Sequence, residues 1–147
     1  MKDKEVSVPI FTYLIHHEKF GYFLVDSGCD SSYINNPYER MKVSLISRFV
    51  PKIILKPEDA IDIFGDHSFW AISTPGHTKG HTSYFVNIKE HPILIAGDAC
   101  CISLSMAKGV GPSGSDVTLG QKSFERIMQF LKDNPEVKVW MGHEFPK

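Results

Sequence analysis

Apolar and polar positions change their period several times along this chain, and each change marks an element. Residues 6–16, from Val6 to His16, are β-branched and aromatic and predict a strand. Glu18-Lys19-Phe20-Gly21 predicts a turn, and Tyr22-Phe23-Leu24-Val25 a short second strand, apolar on both faces, so that the two form a hairpin ending in the polar Asp26-Ser27-Gly28. Over 31–50 the pattern is weaker. Pro37 is suited to open a helix, and Met41, Leu45, Ile46 and Phe49 recur at roughly helical spacing. Arg40, Lys42, Arg48 and Lys52 decorate this stretch as a solvated helix face, with a basic nucleic-acid face as the lesser reading. Pro51 and Pro57 break the run.

The second half is better defined. A short strand is expected over Ile61–Gly65 and another over Ser68–Ser73, which runs into Thr74-Pro75-Gly76-His77-Thr78-Lys79-Gly80-His81. Thr82–Ile88 alternates as a strand, and Pro92–Ala96 reads as a short buried strand that stops at Gly97-Asp98. Residues 103–120, rich in Gly, Pro and Ser, predict a long loop, with Thr118-x-x-Gln121 as a capping box. A helix follows, carrying Phe124, Ile127, Met128 and Leu131 on one face and ending at Asn134-Pro135. Val137–Met141 is a last strand, which delivers Gly142-His143. Strands first, then a strand–loop–helix–strand unit, predict a mixed α/β layer protein.

Composition narrows the class. The chain has 147 residues, the size of one domain; 42% are hydrophobic and 22% charged, which excludes a disordered tail, a collagen-like fibre and a coiled coil. Lys and Arg total 16 against 17 Asp and Glu, so a net charge of −1 provides no electrostatic pull toward nucleic acid or acidic lipid. No apolar run approaches the ~20 residues that span a bilayer. The opening Met1-Lys2-Asp3-Lys4-Glu5 leads into no apolar core, so no secretory signal is expected. Cys29, Cys100 and Cys101 are odd in number and two are adjacent, which argues against a disulfide framework and for a reducing, cytoplasmic location.

Three polar residues share one kind of position. His77 follows a strand through a Pro-Gly turn, while Asp98 and His143 each follow a strand through a single glycine. A strand fixes direction, and a glycine lets the backbone turn a side chain toward a common rim, where sites assemble in helix-covered sheets. Two imidazoles and a carboxylate suit Zn²⁺, Mn²⁺ or Fe²⁺ with a position left open. An Asp at a strand end is otherwise an ordinary loop cap, and a lone His near a C-terminus is usually without a role.

Thr74–Thr82 resembles the T-P-G-H-T-x-G-H segment of the metallo-β-lactamase-fold hydrolases. Leu94-Ile95-Ala96-Gly97-Asp98 resembles their strand ending in a metal-bridging Asp, Met141-Gly142-His143 their final G-H, and Val25-Asp26-Ser27-Gly28 their early D-[ST]-G. The four motifs stand in the family's order. The opening is most similar to the acyl-homoserine lactonase-like branch, with glyoxalase II-type thioesterases close by. The resemblance implies a reduced αββα sandwich of mixed sheets with flanking helices, in a single domain over 1–147 that is shortened between about 30 and 68. It implies that His77 binds a first metal, Asp98 bridges two metals and acts in catalysis, His143 binds the second, and Asp26 orients a ligand. His81 is expected to be a packing or rim residue. One or two ions of Zn, Mn or Fe are implied, with a small-molecule carbonyl substrate and neither nucleic acid nor membrane as partner.

The family's main metal motif, H-x-H-x-D-H, lies between the early D-[ST]-G and the T-P-G-H segment, and this sequence has no such pattern there. His67, in Gly65-Asp66-His67-Ser68, is a weak substitute. The lactonase branch also has a Tyr three residues after the bridging Asp, where this chain has Cys101. The expected activity is therefore water attack on a small lactone, ester or thioester carbonyl at a depleted metal site. The alternative is a non-catalytic scaffold of the same family. Loss of a central strand would expose sheet edges, which invites pairing between copies of the chain. Gly109-Val110-Gly111-Pro112-Ser113-Gly114 matches the dinucleotide fingerprint in letters but lacks its strand–helix setting, so no nucleotide site is expected. His16 and His17 point to opposite faces of a strand and cannot serve one site. Cys100 and Cys101 read as a buried pair.

Overall fold

A computed structural model describes residues 8–26, 60–89 and 91–146. The helix expected over 31–50, Cys29 and the prolines at 51 and 57 lie outside these residues. Contacts divide the chain into two compact units, Ile10–Ile54 and Met1–Pro9 with Leu55–Lys147.

In the first unit, strands β1 (Tyr13–His17) and β2 (Gly21–Val25) pair antiparallel, with Tyr13 opposite Val25 and His17 opposite Gly21. The first strand is shorter than the apolar pattern suggests, and residues 8–12 lie outside it. The partner strand offers only its own length for pairing, so a long β-prone run is cut to match. His17 Nδ1 closes the turn by accepting the Lys19 and Phe20 amides at 3.0 and 3.3 Å. Asp26 follows β2 with a φ of 64°.

The second unit is built on a five-stranded sheet of spatial order β3 (Ala60–Asp62), β4 (Phe69–Ser73), β5 (Thr82–Val86), β6 (Ile93–Gly97) and β7 (Lys138–Met141). Neighbours are antiparallel except β6 and β7, which are parallel. The strand expected over 61–65 stops at Asp62. The carboxylate of Asp62 accepts the amides of Gly65 and His67 at 3.0 and 2.7 Å, and this folds the following residues into a tight turn. The same carboxylate lies 3.1 Å from His67 Nδ1, and the His67 ring stacks on Trp70 at 5.6 Å. His67 is thus spent on this turn.

A parallel pair requires a crossover, and a helix supplies it. Helix α1 (Ser103–Lys108) and helix α2 (Val117–Asp133) lie between β6 and β7. The expectation of an unbroken loop over 103–120 is corrected by α1. The residue before this helix, Ile102, has no capping side chain. The cap comes instead from Glu144, beyond β7, which accepts the Ser103 amide at 2.6 Å and its hydroxyl at 2.9 Å. The expected Thr118–Gln121 capping box is also corrected. Asp116 caps α2 by accepting the Leu119 amide at 2.8 Å, while Gln121 reaches back to Gly111 and Gly109. Asp at the cap outcompetes a Thr already inside the first turn, because only the residue before the helix has the extended backbone a cap needs.

Helix α2 presents Phe124 and Ile127 to the sheet, with Met128 and Leu131 partly buried alongside, as the apolar spacing predicts. They meet Leu94, Ala96, Ala99, Cys100, Val137 and Met141 in one core. Residues Ile93–Ala96 are buried throughout, as befits a strand between two neighbours and beneath a helix. Ser123 fastens α2 to the turn after β4 by donating to the Pro75 carbonyl at 2.7 Å. The described architecture is mixed α/β, as the element order implies.

Candidate metal centre

Strand polarity brings the chemistry together. β5 runs antiparallel to both β4 and β6, and β7 runs parallel to β6, so β4, β6 and β7 all finish at one end of the sheet. The residues leaving them are His77, Asp98 and His143. β5 starts at that same end, since Ser73 pairs with Thr82, and the residue before it is His81.

The three residues expected to share a site converge on one carboxylate. His77 Nε2 lies 3.4 Å from Asp98 Oδ2, and His143 Nε2 lies 2.9 Å from Asp98 Oδ1. All three side chains are about one-third exposed, so they form a rim and not an enclosed pocket. The outer nitrogen of each ring is committed elsewhere. His77 Nδ1 is 2.9 Å from the Ser113 carbonyl, and His143 Nδ1 is 3.0 Å from the Pro9 carbonyl. A carbonyl only accepts, so both Nδ1 atoms carry the proton. In the neutral rings the Nε2 lone pairs then face a carboxylate, acceptor against acceptor. A proton shared between ring and carboxylate reconciles that arrangement, and so does a metal ion. Imidazoles whose far N–H is tied to a backbone carbonyl are the usual form of metal-ligating histidine.

The turns are held by close packing. A Cβ on Gly142 would fall 2.8 Å from Asp98 Oδ1 and 2.9 Å from the Gly97 carbonyl carbon. The glycine before His143 is required for close approach and not, as the pattern suggests, for a turn. Gly97, with a φ of 53°, does provide the turn before Asp98. The Gly142 and His143 amides donate to the Cys100 and Cys101 carbonyls at 3.2 and 2.9 Å. The loop after α1 grips the His77 turn, where Ser115 and Asp116 amides donate to the His77 and Gly76 carbonyls at 3.0 and 2.9 Å.

His81 does more than pack. Its Nε2 accepts the Asp98 amide at 3.0 Å, so its Nδ1 carries the proton and donates to Thr74 Oγ1 at 2.9 Å. Ser83 Oγ donates to the Ala96 carbonyl at 2.9 Å, which leaves Thr74 Oγ1 to donate to Ser83 Oγ at 2.8 Å. The chain of donors leaves β6 at Asp98, crosses β4 and β5, and returns to β6 at Ala96. The signal for it was present in the T-P-G-H-T-x-G-H segment, but only the antiparallel pairing of β4 and β5 turns that spacing into a contact.

Cys100 and Cys101 part ways. Cys100 lies in the core, and burial, with Cys101 and Glu144 nearby, pushes its thiol up to about 12. Cys101 is half-buried, not buried as a pair would be, and burial followed by the Asp98 charge raises its thiol. The neighbour to which Cys101 Sγ donates is the Asp98 carbonyl at 3.5 Å. Asp26 belongs to the hairpin unit, where its charge adds to burial in raising the Tyr13 hydroxyl. Among the described residues no helix is long and apolar enough to cross a membrane.

No family model matches the sequence. Individual relatives do. The hydroxyacylglutathione hydrolase of Bartonella henselae is 33% identical over 109 residues, covering 74% of this chain and 37% of the relative. The N-acyl homoserine lactonase AttM of Azorhizobium caulinodans is 29% identical over 93 residues, or 62% of this chain and 34% of the lactonase. The chain thus spans about a third of the length of the curated relatives it matches. The fold is similar to that of an N-acyl homoserine lactone hydrolase solved with N-hexanoyl-L-homoserine at its catalytic metal centre. The TM-score is 0.51 at 24% identity, over 58% of this chain and 34% of that one. Ordered motifs, shared fold and two groups of hydrolase relatives lead to one conclusion: the chain belongs to the metallo-β-lactamase superfamily.

Proposed function

We propose that this chain is a metal-dependent hydrolase, with water attacking the carbonyl of a small lactone, ester or thioester, and that His77, Asp98 and His143 hold the ion. One observation carries the reading: two imidazole Nε2 atoms face the two oxygens of one carboxylate, while each Nδ1 is spent on a backbone carbonyl. The donor set suits Zn²⁺, Mn²⁺ or Fe²⁺. Such an ion, when bound, supplies the acidity that activates water near neutral pH and polarises the carbonyl. The chain's own residues do the rest. The Ser113 and Pro9 carbonyls hold His77 and His143 in the ligating tautomer. Asp98 turns one oxygen toward each ring's Nε2, so that rings and carboxylate would meet at the ion, and a carboxylate oxygen not spent on the ion would take up the proton that the attacking water releases. The relatives named as hydroxyacylglutathione hydrolase and lactonase favour a thioester or a lactone as substrate.

A second reading, a scaffold without catalysis, is favoured by the sequence between Gly28 and Thr74, which lacks the H-x-H-x-D-H pattern. Metal analysis of protein purified without chelator separates the two. The first predicts about one equivalent of Zn, Mn or Fe, lost in Asp98→Ala and reduced in His77→Ala. It also predicts thioester or lactone hydrolysis that a chelator abolishes and added metal restores. Less than ~0.1 equivalent with no hydrolysis overturns it, since a catalytic ion needs near-stoichiometric occupancy.

A further inference from the structure

We infer that Cys101 is a ligand of the metal, its thiolate joining Asp98 and His143 around one ion. The inference rests on the metal-binding reading above and adds to it a sulfur donor, which sets the ion's identity. One ligand atom each from Asp98, Cys101 and His143 lies within 4.8 Å of the others. A tetrahedral ion with bonds of roughly 2.0–2.3 Å gathers its donors within about 4 Å, so closing this set requires only side-chain adjustment.

The backbone has already brought these residues together. Asp98 lies in a turn and Cys101 just after it, the turn being closed by the Ala99 and Cys100 amides, which donate to the Ala96 and Gly97 carbonyls at 3.3 and 3.2 Å. The His143 amide donates to the carbonyl of Cys101 itself at 2.9 Å. Cys101 is half-buried and its sulfur is on the Asp98 side of the turn, whereas Cys100 is sealed in the core beside Phe124. Only one thiol of the adjacent pair therefore serves. On binding, the S–H proton leaves to solvent and a sulfur–metal bond forms, with no change in oxidation state.

With His77 of the reading above, the donor set is two nitrogens, one oxygen and one sulfur, and a catalytic ion so held would admit water or substrate by expanding to five-coordinate. A thiolate also shifts preference from Mn²⁺ toward Zn²⁺ and its spectroscopic substitute Co²⁺. The sulfur thus provides a donor where the sequence lacks the upstream histidines.

Cobalt titration of the whole chain tests this. A thiolate-to-cobalt charge-transfer band is expected beside the visible ligand-field bands. Cys101→Ser should remove that band and weaken Zn²⁺ binding by at least ~10-fold, since even groups that only support a ligand cost that much. The Cys29→Ser/Cys100→Ala double variant should keep it. X-ray absorption of the zinc-loaded native chain provides a reading free of substitutions, with one sulfur per zinc at about 2.3 Å expected. Stoichiometric metal bound by nitrogen and oxygen alone overturns the Cys101 assignment and leaves the metal-binding reading standing. Failure to load any ion shows in the stoichiometry before any spectrum is read, and it overturns both.

Discussion

The imidazole of His81 holds the backbone of Asp98, its Nε2 accepting the Asp98 amide at 3.0 Å from the entry of strand β5. The carboxylate that His77 and His143 face is thereby fixed through its main chain by a residue whose ring stands edge-on to that of His77, with centroids 6.4 Å apart. Because the bond uses the Nε2 lone pair, it requires His81 to be neutral with its proton on Nδ1, and Thr74 is placed to receive that proton at 2.9 Å. His81 is a positioning residue.

His81→Ala takes from the Asp98 amide its acceptor and from the Thr74 hydroxyl one of its two partners, which costs about 1–3 kcal/mol of stability. Denaturant unfolding of the metal-free chain reads this directly. Metal affinity should fall roughly 10-fold or more, because the carboxylate loses its fixed direction. An unchanged affinity beside a lowered stability would assign His81 to packing alone.

Gly142→Ala drives a methyl into Asp98 Oδ1 and the Gly97 carbonyl carbon, at 2.8 and 2.9 Å in the present geometry. Both partners are part of the turn that carries the site, so relief moves the carboxylate. The expected cost is about 1–3 kcal/mol, as for other overpacked positions, with a parallel loss of bound metal. Metal content and a thermal melt on the same preparation check it.

Phe124→Ala empties the contact between α2 and β6, where the ring is 1% exposed. A loss of about 3–5 kcal/mol is expected. Asp116→Ala, at the start of the same helix, should cost only about 1 kcal/mol, the worth of one cap hydrogen bond. Equal effects in paired denaturant melts would contradict the core assignment.

Stability should fall as pH rises above 9. Burial pushes the Cys100 thiol from 9.0 up to about 12 in the folded chain, so between these values the unfolded state sheds a proton that the folded state keeps. The unfolded state then binds fewer protons, and the free energy of unfolding decreases with pH across that window. The contribution is whole below pH 9 and lost on passing about 12. Cys100→Ala should flatten this part of the profile in a pH series of urea melts.

Much of the fold was legible because it rests on period and punctuation. The alternation of Thr82–Val86, the buried run Ile93–Ala96 and the apolar stripe of Phe124 and Ile127 each demand one kind of element. The misses have two causes. Helix α1 draws its cap from Glu144, a contact too distant in sequence to leave a trace in a local window. At the turn after β3 and the start of α2 the decisive contacts are local, but Asp62 and Asp116 compete there with the strand and capping-box patterns.

For the site, residue types and spacing marked His77, Asp98 and His143 as candidates at strand ends, and the metal roles came from the resemblance. Type and spacing did not separate Cys101 from Cys100, nor give His81 a task. Those depended on which strands run parallel and which antiparallel, because polarity decides which ends of the sheet share a rim. A one-dimensional pattern states what a residue is able to bind. Only the folded arrangement states what stands within 3 or 4 Å of it, and at that range hydrogen bonding and coordination take effect.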